Sequence, residues 1–461
     1  MQHSTASDIP PSQALPGQAP SRTIAARLDA LPLTSLHMAI LVLCTLGLSA
    51  DIGEVALSNT FSVLFLAPPY HASHGEVSLL LGSIFAGGAI GAPAFGWWAD
   101  QRGRRATLQI ALAVLVASSL AVAASPNIAA MTAFRFVSGL ALGAYPPLTA
   151  AYLSDVLPPR RRGLLMMLCA AFAFLGAPAL IFLIRWLTPL APFGIEGWRW
   201  ALIAGAGIAA ATFLLFFLVP ESPRWLAAIG RQAKADDNCT RFETAARQSQ
   251  LQLSEPQPDP APQPKTAPDL MASNRTGRVV LLCALYALAP WASVGFPLLS
   301  ATVLVHKGFH TSDSLLFAAL SMFGPTIGIT IAALFIDRIE RRIALMLCAI
   351  GMAAFGLIFA VSSDLSALIG FGNIFNLASA IYSAILALYG AELFPTSWRA
   401  TATAGAWGIG RIVSAFVPIV LLPLLTGQGV LAMFGVIASA LVVSAFVLLA
   451  GPPGLARRPV E

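Results

Sequence analysis

The chain has 461 residues, 57% of them hydrophobic and only 10% charged, with a formal charge of +6. Soluble domains carry about 25% charged residues, so this composition excludes a single soluble globule and points to an integral membrane protein. The positive balance does not indicate nucleic acid, because the basic residues sit between apolar runs rather than in one patch.

Residues 1–35 open polar and rich in Pro and Ser ("MQHSTASDIPPSQALPGQAP"). They lack the charged start and short apolar core of a signal peptide. A disordered cytoplasmic tail is expected there, with the first membrane helix acting as its own targeting signal. Apolar runs then recur near 36–67, 77–99, 106–124, 127–153, 164–187 and 198–219, and again near 278–304, 313–335, 342–361, 366–393, 400–424 and 428–450. Each is long enough to cross a bilayer. The expected fold is an all-α membrane protein of twelve transmembrane helices, with a six-helix bundle over 36–219 and another over 278–450. Between them, 220–277 reads as a cytoplasmic linker whose "EPQPDPAPQPKTAPD" is a semi-extended tether. A short tail, 451–461, ends the chain.

Of the 27 Lys and Arg, only Arg185, Arg199 and Lys307 fall in one set of alternate loops, and Arg135 and Arg411 fall inside runs; the rest lie on the other side. This asymmetry places both termini in the cytoplasm. Cys44, Cys169, Cys239, Cys283 and Cys348 stand singly, so neither disulfides nor a metal framework is expected. His71, His74, His306 and His310 fall in the opposite loops, a placement too ordinary to indicate a metal.

The two bundles are repeats. "GWWADQRGRRATL" (96–108) matches "ALFIDRIERRIAL" (333–345), and "YLSDVLPPRRRG" (152–163) matches "YGAELFPTSWRA" (389–400). The same 237 residues separate Asp100 from Asp337, Asp155 from Glu392 and Arg162 from Arg399. Duplicated halves around a midplane site are a transporter architecture.

Asp51 and Glu54, in "SADIGEVALSNTF", are the two carboxylates inside the first run. An acid at a helix centre costs roughly 2.5–3.5 kcal/mol. Three residues apart, the two lie about 60° apart around a helix, on a face that must look into the bundle or a watery cavity. They read as a proton-coupling pair, or as a structural pair satisfied by Ser58, Asn59 or Arg135. Arg135 is the candidate counter-ion. Arg411 needs a negative partner, which is either an internal acid on the first helix or a substrate carboxylate held in two parallel hydrogen bonds. Trp291, Phe296, Phe323, Tyr382, Trp407 and Tyr145 fall in spans expected to line a central cavity, as do Asn373 and Asn376. Gly82, Gly87, Gly88, Gly91, Gly139 and Gly143 read as close helix contacts. No Walker loop, HExxH or GxSxG is present, so neither ATP-driven transport nor catalysis has its machinery in this sequence.

"GWWADQRGRR", "PESPRWL", "LSDVLPPRRRG" and "AELFPTSWRA" resemble the signatures of the major facilitator superfamily, in its sugar-porter-like branch. "DIGE" is similar to the Asp-Gly-x-Asp pattern of aromatic acid/proton symporters, with Ile52 and Glu54 departing from it. "GIGRIVSAFVPIV" resembles a segment of organic-anion carriers, while "FIDRIERR" has Glu340 in place of the second signature's Gly. The resemblance implies two six-helix bundles related by pseudo-two-fold symmetry, and an arginine near position 135 paired with the acid of the first helix. It also implies a cytoplasmic gate of Asp100, Arg104, Arg105, Asp155, Arg162, Asp337, Arg341, Arg342, Glu392 and Arg399. The expected function is proton-coupled symport of a small organic anion, such as an aromatic or other monocarboxylic acid, by alternating access. A sugar carrier, an organic-cation or drug carrier, or a non-transporting receptor are the alternatives. The expected partners are the substrate, protons and the lipid of a bacterial inner membrane, with no cofactor, metal or nucleic acid and with the chain as a monomer.

Overall fold

Polar residues at the loop ends start the helices. Thr34 and His37, and Ser73 and Glu76, form reciprocal caps of side chain and backbone N–H, and Asn127 and Asp364 accept from the N–H three residues on. Each cap satisfies a donor that the first helical turn leaves free. The structure, a computed structural model, describes residues 23–248, 275–335, 339–394 and 396–452.

Among the described residues, twelve helices are long and apolar enough to cross a membrane. In the first half these are α1 (Ser35–Leu64), α2 (His74–Arg102), α3 (Arg104–Ala123), α4 (Ile128–Val156), α5 (Arg161–Leu187) and α6 (Gly197–Leu218). In the second they are α7 (Thr276–His306), α8 (Thr311–Leu334), α9 (Arg341–Val361), α10 (Leu365–Gly390), α11 (Ala402–Gln428) and α12 (Val430–Leu449). The expected twelve-helix fold in two halves is therefore present. The described segments at Thr23 and Pro452 and most of the described Lys and Arg lie at one end of the bundle, called the basic end below; the other is the far end. Breaks interrupt α5 near Phe174, α7 near Val294 and α8 near Met322.

Glycine sets the closest approach, between α2 and α4. A Cβ on Gly143 would overlap the Gly88 Cα, and one on Gly91 would overlap the Leu140 carbonyl oxygen, so neither position has room for a side chain. Gly82 has a different neighbour: a Cβ there would meet the Ala415 carbonyl of α11, in the other half, at 2.6 Å.

The duplication reaches individual hydrogen bonds. Arg104 faces Asp155 at 3.9 Å, and its repeat mate Arg341 faces Glu392 at 3.2 Å. Arg105 donates to the Val219 carbonyl at the end of α6, and Arg342 to the Gly451 carbonyl at the end of α12. Tyr152 and Tyr389 then donate to the next carbonyls, Pro220 and Pro452. The start of the tail at Gly451 is thus the counterpart of the start of the linker.

The region expected as a disordered tail differs in its last third. Residues 24–29 form a helix whose Ile24 and Leu28 are buried. Arg27 pairs with Asp236 and Glu243 of the linker helix Gln232–Gln248, and Asp29 accepts from Arg224. The short apolar stripe "IAARLDAL" has a partner there, which a solvated tail would lack. Residues 1–22, the proline-rich 249–274 and 453–461 lie outside the described residues.

Candidate substrate and proton site

Asp51 and Glu54 are both buried midway along α1, but they face different neighbours. Glu54 looks into its own half: Ser119 of α3 donates to one carboxylate oxygen at 2.7 Å and Ser138 of α4 to the other at 3.4 Å. Arg135 Nη1 lies 4.0 Å from Glu54 Oε1, its Nη2 donates to Ser58, and its guanidinium stands 5.0 Å from the Phe61 ring centre. Two hydroxyls and a cation offset much of the desolvation of this carboxylate. The 4.0 Å separation leaves the ion pair without a direct hydrogen bond.

The charges acting on Asp51 are those of Arg411 on α11, in the other half, and of Glu54. Its Oδ1 has no hydrogen-bond partner among the described residues. Arg411 is half-buried, lies 4.8 Å from the Trp407 ring centre, and is acted on by Asp51 in return. An attraction between halves with no direct contact, beside unpartnered polar atoms, is the arrangement of a site left open for a ligand. Asn376 Oδ1 and Trp407 Nε1 also lack hydrogen-bond partners among the described residues, while the Tyr145 and Thr149 hydroxyls have only each other.

The other expected lining residues divide. Trp291 and Phe323 are half-buried beside the breaks in α7 and α8. Asn373 donates to Ile369 of its own helix, and Asn376 to the Ser321 carbonyl where α8 breaks. Phe296 and Tyr382 do not reach a cavity between the halves. Phe296 packs against Phe359, Phe375 and Phe434 inside the second half, and Tyr382 shares a 2.7 Å hydrogen bond with Ser444 of α12. Asn59, one suggested partner of the carboxylates, instead donates across the interface to Pro297 and Ser300.

At the far end the halves are joined. Beyond the Asn59 contacts, Ser62 and Thr302 hydroxyls meet at 2.6 Å, Ser78 donates to Pro418, and Arg185 to the Ser312 carbonyl. At the basic end the described polar contacts stay within a half. Asp100 pairs with Arg104, and Asp155 accepts from Ser222. Arg162 bonds the Leu157 carbonyl and faces Asp29 at 3.8 Å. Arg342 also faces Glu340. Asp337 and the side chain of Arg399 lie outside the described residues. Between the halves, Ala171 of α5, Ile329 of α8 and Ala380 of α10 form an apolar contact. The arrangement is closed at the far end and lacks described polar ties between halves at the basic end.

Three roles were not foreseen. Ser119 and Ser138 hold Glu54, and Glu221 accepts from the first backbone N–H groups of α3 at Arg105 and Ala106. A lone serine in an apolar helix gives no signal in sequence. Glu221 gave one, standing in "PESPRWL" beside the loop it caps.

Twelve spans in two repeated halves, with ionisable groups buried on the helices between them, define a membrane transporter of the major facilitator fold. The profile described as "Sugar (and other) transporter" matches residues 46–461, and the chain belongs to that family. It is 27% identical over 424 residues to the arabinose-proton symporter of Bacillus subtilis, covering 85% of this chain and 88% of that one. It is 28% identical over 411 residues to the gallate transporter of Pseudomonas putida, covering 84% and 86%. Among solved structures, the partially occluded inward-open form of the xylose transporter XylE from E. coli superposes with a TM-score of 0.72 at 20% identity, over 93% of this chain and 100% of that one.

Proposed function

We propose that the protein is a proton-coupled symporter of a small organic anion, such as an aromatic or other monocarboxylic acid. It works by alternating access in a bacterial inner membrane, as a monomer with the basic end and both termini in the cytoplasm. The observation that carries this reading is Arg411: a half-buried guanidinium between the halves, with no ion pair or hydrogen bond of its own among the described residues. A guanidinium does not shed its proton, and its fork suits a carboxylate.

Asp51 supplies the coupling in this reading. While ionised it competes with a substrate carboxylate for Arg411, and a proton on Asp51 releases the arginine to the substrate. Protonation of Glu54 likewise removes the attraction that draws Arg135 of α4 toward α1. Asp155, Glu392 and the arginines around them would hold the basic end shut in the opposite state. The gallate transporter among the relatives fits an acid substrate.

A sugar is the second reading. The arabinose-proton symporter supports it, and the Asn376 side-chain carbonyl and the Trp407 N–H, without partners among the described residues, are suited to sugar hydroxyls.

The test is uptake of labelled aromatic acids, aliphatic acids, pentoses and hexoses into proteoliposomes under an inward proton gradient, with and without an uncoupler. Uncoupler-sensitive accumulation of an acid is the expected result. Accumulation of a sugar alone would overturn the anion reading, and accumulation untouched by the uncoupler would overturn proton coupling.

A further inference from the structure

A groove of about 560 Å³ runs along the outward side of the first half, between α3 and α6. Its floor is Ala106, Ala113 and Ala117 of α3, and one wall is Phe213 and Phe217 of α6, which pack edge to face with ring centres 5.4 Å apart. From Ala106 to Ala117 the helix rises about 16 Å at 1.5 Å per residue. That is about half of the roughly 30 Å hydrocarbon core, the depth of one leaflet. Arg102 stands at the basic end of the groove, exposed, its guanidinium 5.7 Å from the Trp98 ring centre. It makes no ion pair or hydrogen bond among the described residues.

The repeat provides an internal comparison. At the same 237-residue spacing, Arg102 corresponds to Ile339, Ala106 to Ile343 and Ala113 to Ile350, while Ala117 keeps an alanine, Ala354. The fold therefore accepts large apolar residues at these three places. The first half departs from its own repeat by emptying the helix surface and by carrying its arginine at 102, on the groove, where the second half has Ile339 and carries Arg338 one place earlier.

We infer that this groove is a binding site for an anionic phospholipid, one acyl chain lying along α3 and the headgroup phosphate on Arg102. A basic residue beside an interhelical groove at a membrane surface is the chemistry that selects such lipids. The apolar length of the groove distinguishes a lipid from a free phosphate.

The experiment is native mass spectrometry of the purified full-length protein with added phosphatidylglycerol or phosphatidylcholine, for wild type, R102I and the A106I/A113I double variant. Wild type is expected to retain phosphatidylglycerol preferentially. R102I is expected to lose that preference by about fivefold, the effect of one basic residue at an anionic surface. A106I/A113I is expected to retain less of both lipids, with thermal unfolding unchanged because the other half carries isoleucine at these places. Equal retention of the two lipids by wild type would overturn the proposal, as would wild-type retention by both variants. Displacement of the bound lipid by soluble glycerol 3-phosphate would also overturn it, because the chain would then contribute nothing.

Discussion

Glu54 on α1 and Arg135 on α4 face each other across 4.0 Å with both side chains buried, and no direct hydrogen bond spans that distance. Serines fill the coordination on each side: Ser119 and Ser138 donate to the carboxylate, and Ser58 accepts from the guanidinium. A proton can therefore reach the carboxylate without first breaking a direct bond to the arginine.

Glu54→Gln is therefore expected to abolish accumulation driven by a proton gradient while counterflow exchange of the same solute continues. Wild-type accumulation would show that Glu54 is not the coupling group. Arg135→Ala leaves a buried carboxylate without its cation, a loss of about 3–5 kcal/mol. It should lower the unfolding temperature clearly more in the wild-type background than beside Glu54→Gln.

Arg411→Ala removes the charge proposed to hold the substrate. Hydrogen bonds to charged groups contribute about 1.5–3 kcal/mol, so affinity for an organic acid should fall roughly ten- to a hundredfold. In Asp51→Asn the competitor for Arg411 is permanently neutral, so acid binding should become much less dependent on pH. Both are measured by equilibrium binding in detergent. An acid affinity unmoved by Arg411→Ala removes the anion clamp.

Asn59→Ala and Ser62→Ala each delete hydrogen bonds that close the far end. At about 1 kcal/mol per bond, loss of the Ser62–Thr302 bond should shift the balance toward a far-end-open state by about fivefold, and loss of the two Asn59 bonds by roughly thirtyfold. Spin labels at His74→Cys and His310→Cys, read by electron-electron double resonance, should show a larger long-distance population. An unchanged distribution would mean that the apolar contacts alone hold this end.

Cys239 lies on the linker helix under the segment 24–29, fully buried, and burial is the main cause pushing its thiol up to about 11, with Glu243 and Asp236 adding to it and Arg27 opposing it. At pH 8 about one thiol in a thousand is the reactive thiolate. Maleimide labelling of Cys239 should be slow in wild type and faster in Leu28→Asp, which undocks the segment, as measured by peptide mass spectrometry. Equal rates would show that the segment does not cover the thiol.

The spans and the repeat were legible because both are written in long patterns: twenty-residue apolar runs and a constant spacing between charged pairs. The company of Glu54 was legible in kind, since a buried acid and a buried arginine must find opposite charge. What could not be read was direction around a helix. Asp51 and Glu54, about 60° apart, feel different arginines, Arg411 of the second half and Arg135 of the first. Phe296 and Tyr382 turn away from the interface, because an aromatic inside a uniformly apolar run carries no mark of which face is buried. The helix at 24–29 was missed for a related reason: six residues are too few to fold alone, and the partner that stabilises them stands more than 200 residues later.

The far-end closure has a property that follows from its chemistry. Its described contacts between halves are amide, hydroxyl and backbone groups, with one arginine, Arg185, on a carbonyl. Nearby Tyr70 is pushed up to about 12, chiefly by burial and then by its bond to Glu196, so it stays neutral in any physiological medium. The described bonds between the halves at this end thus include no carboxylate or imidazole, and offer little for salt to screen. Acidity or brine on that side cannot loosen these bonds directly; news of the outside must travel inward, as a bound proton or solute, before they part.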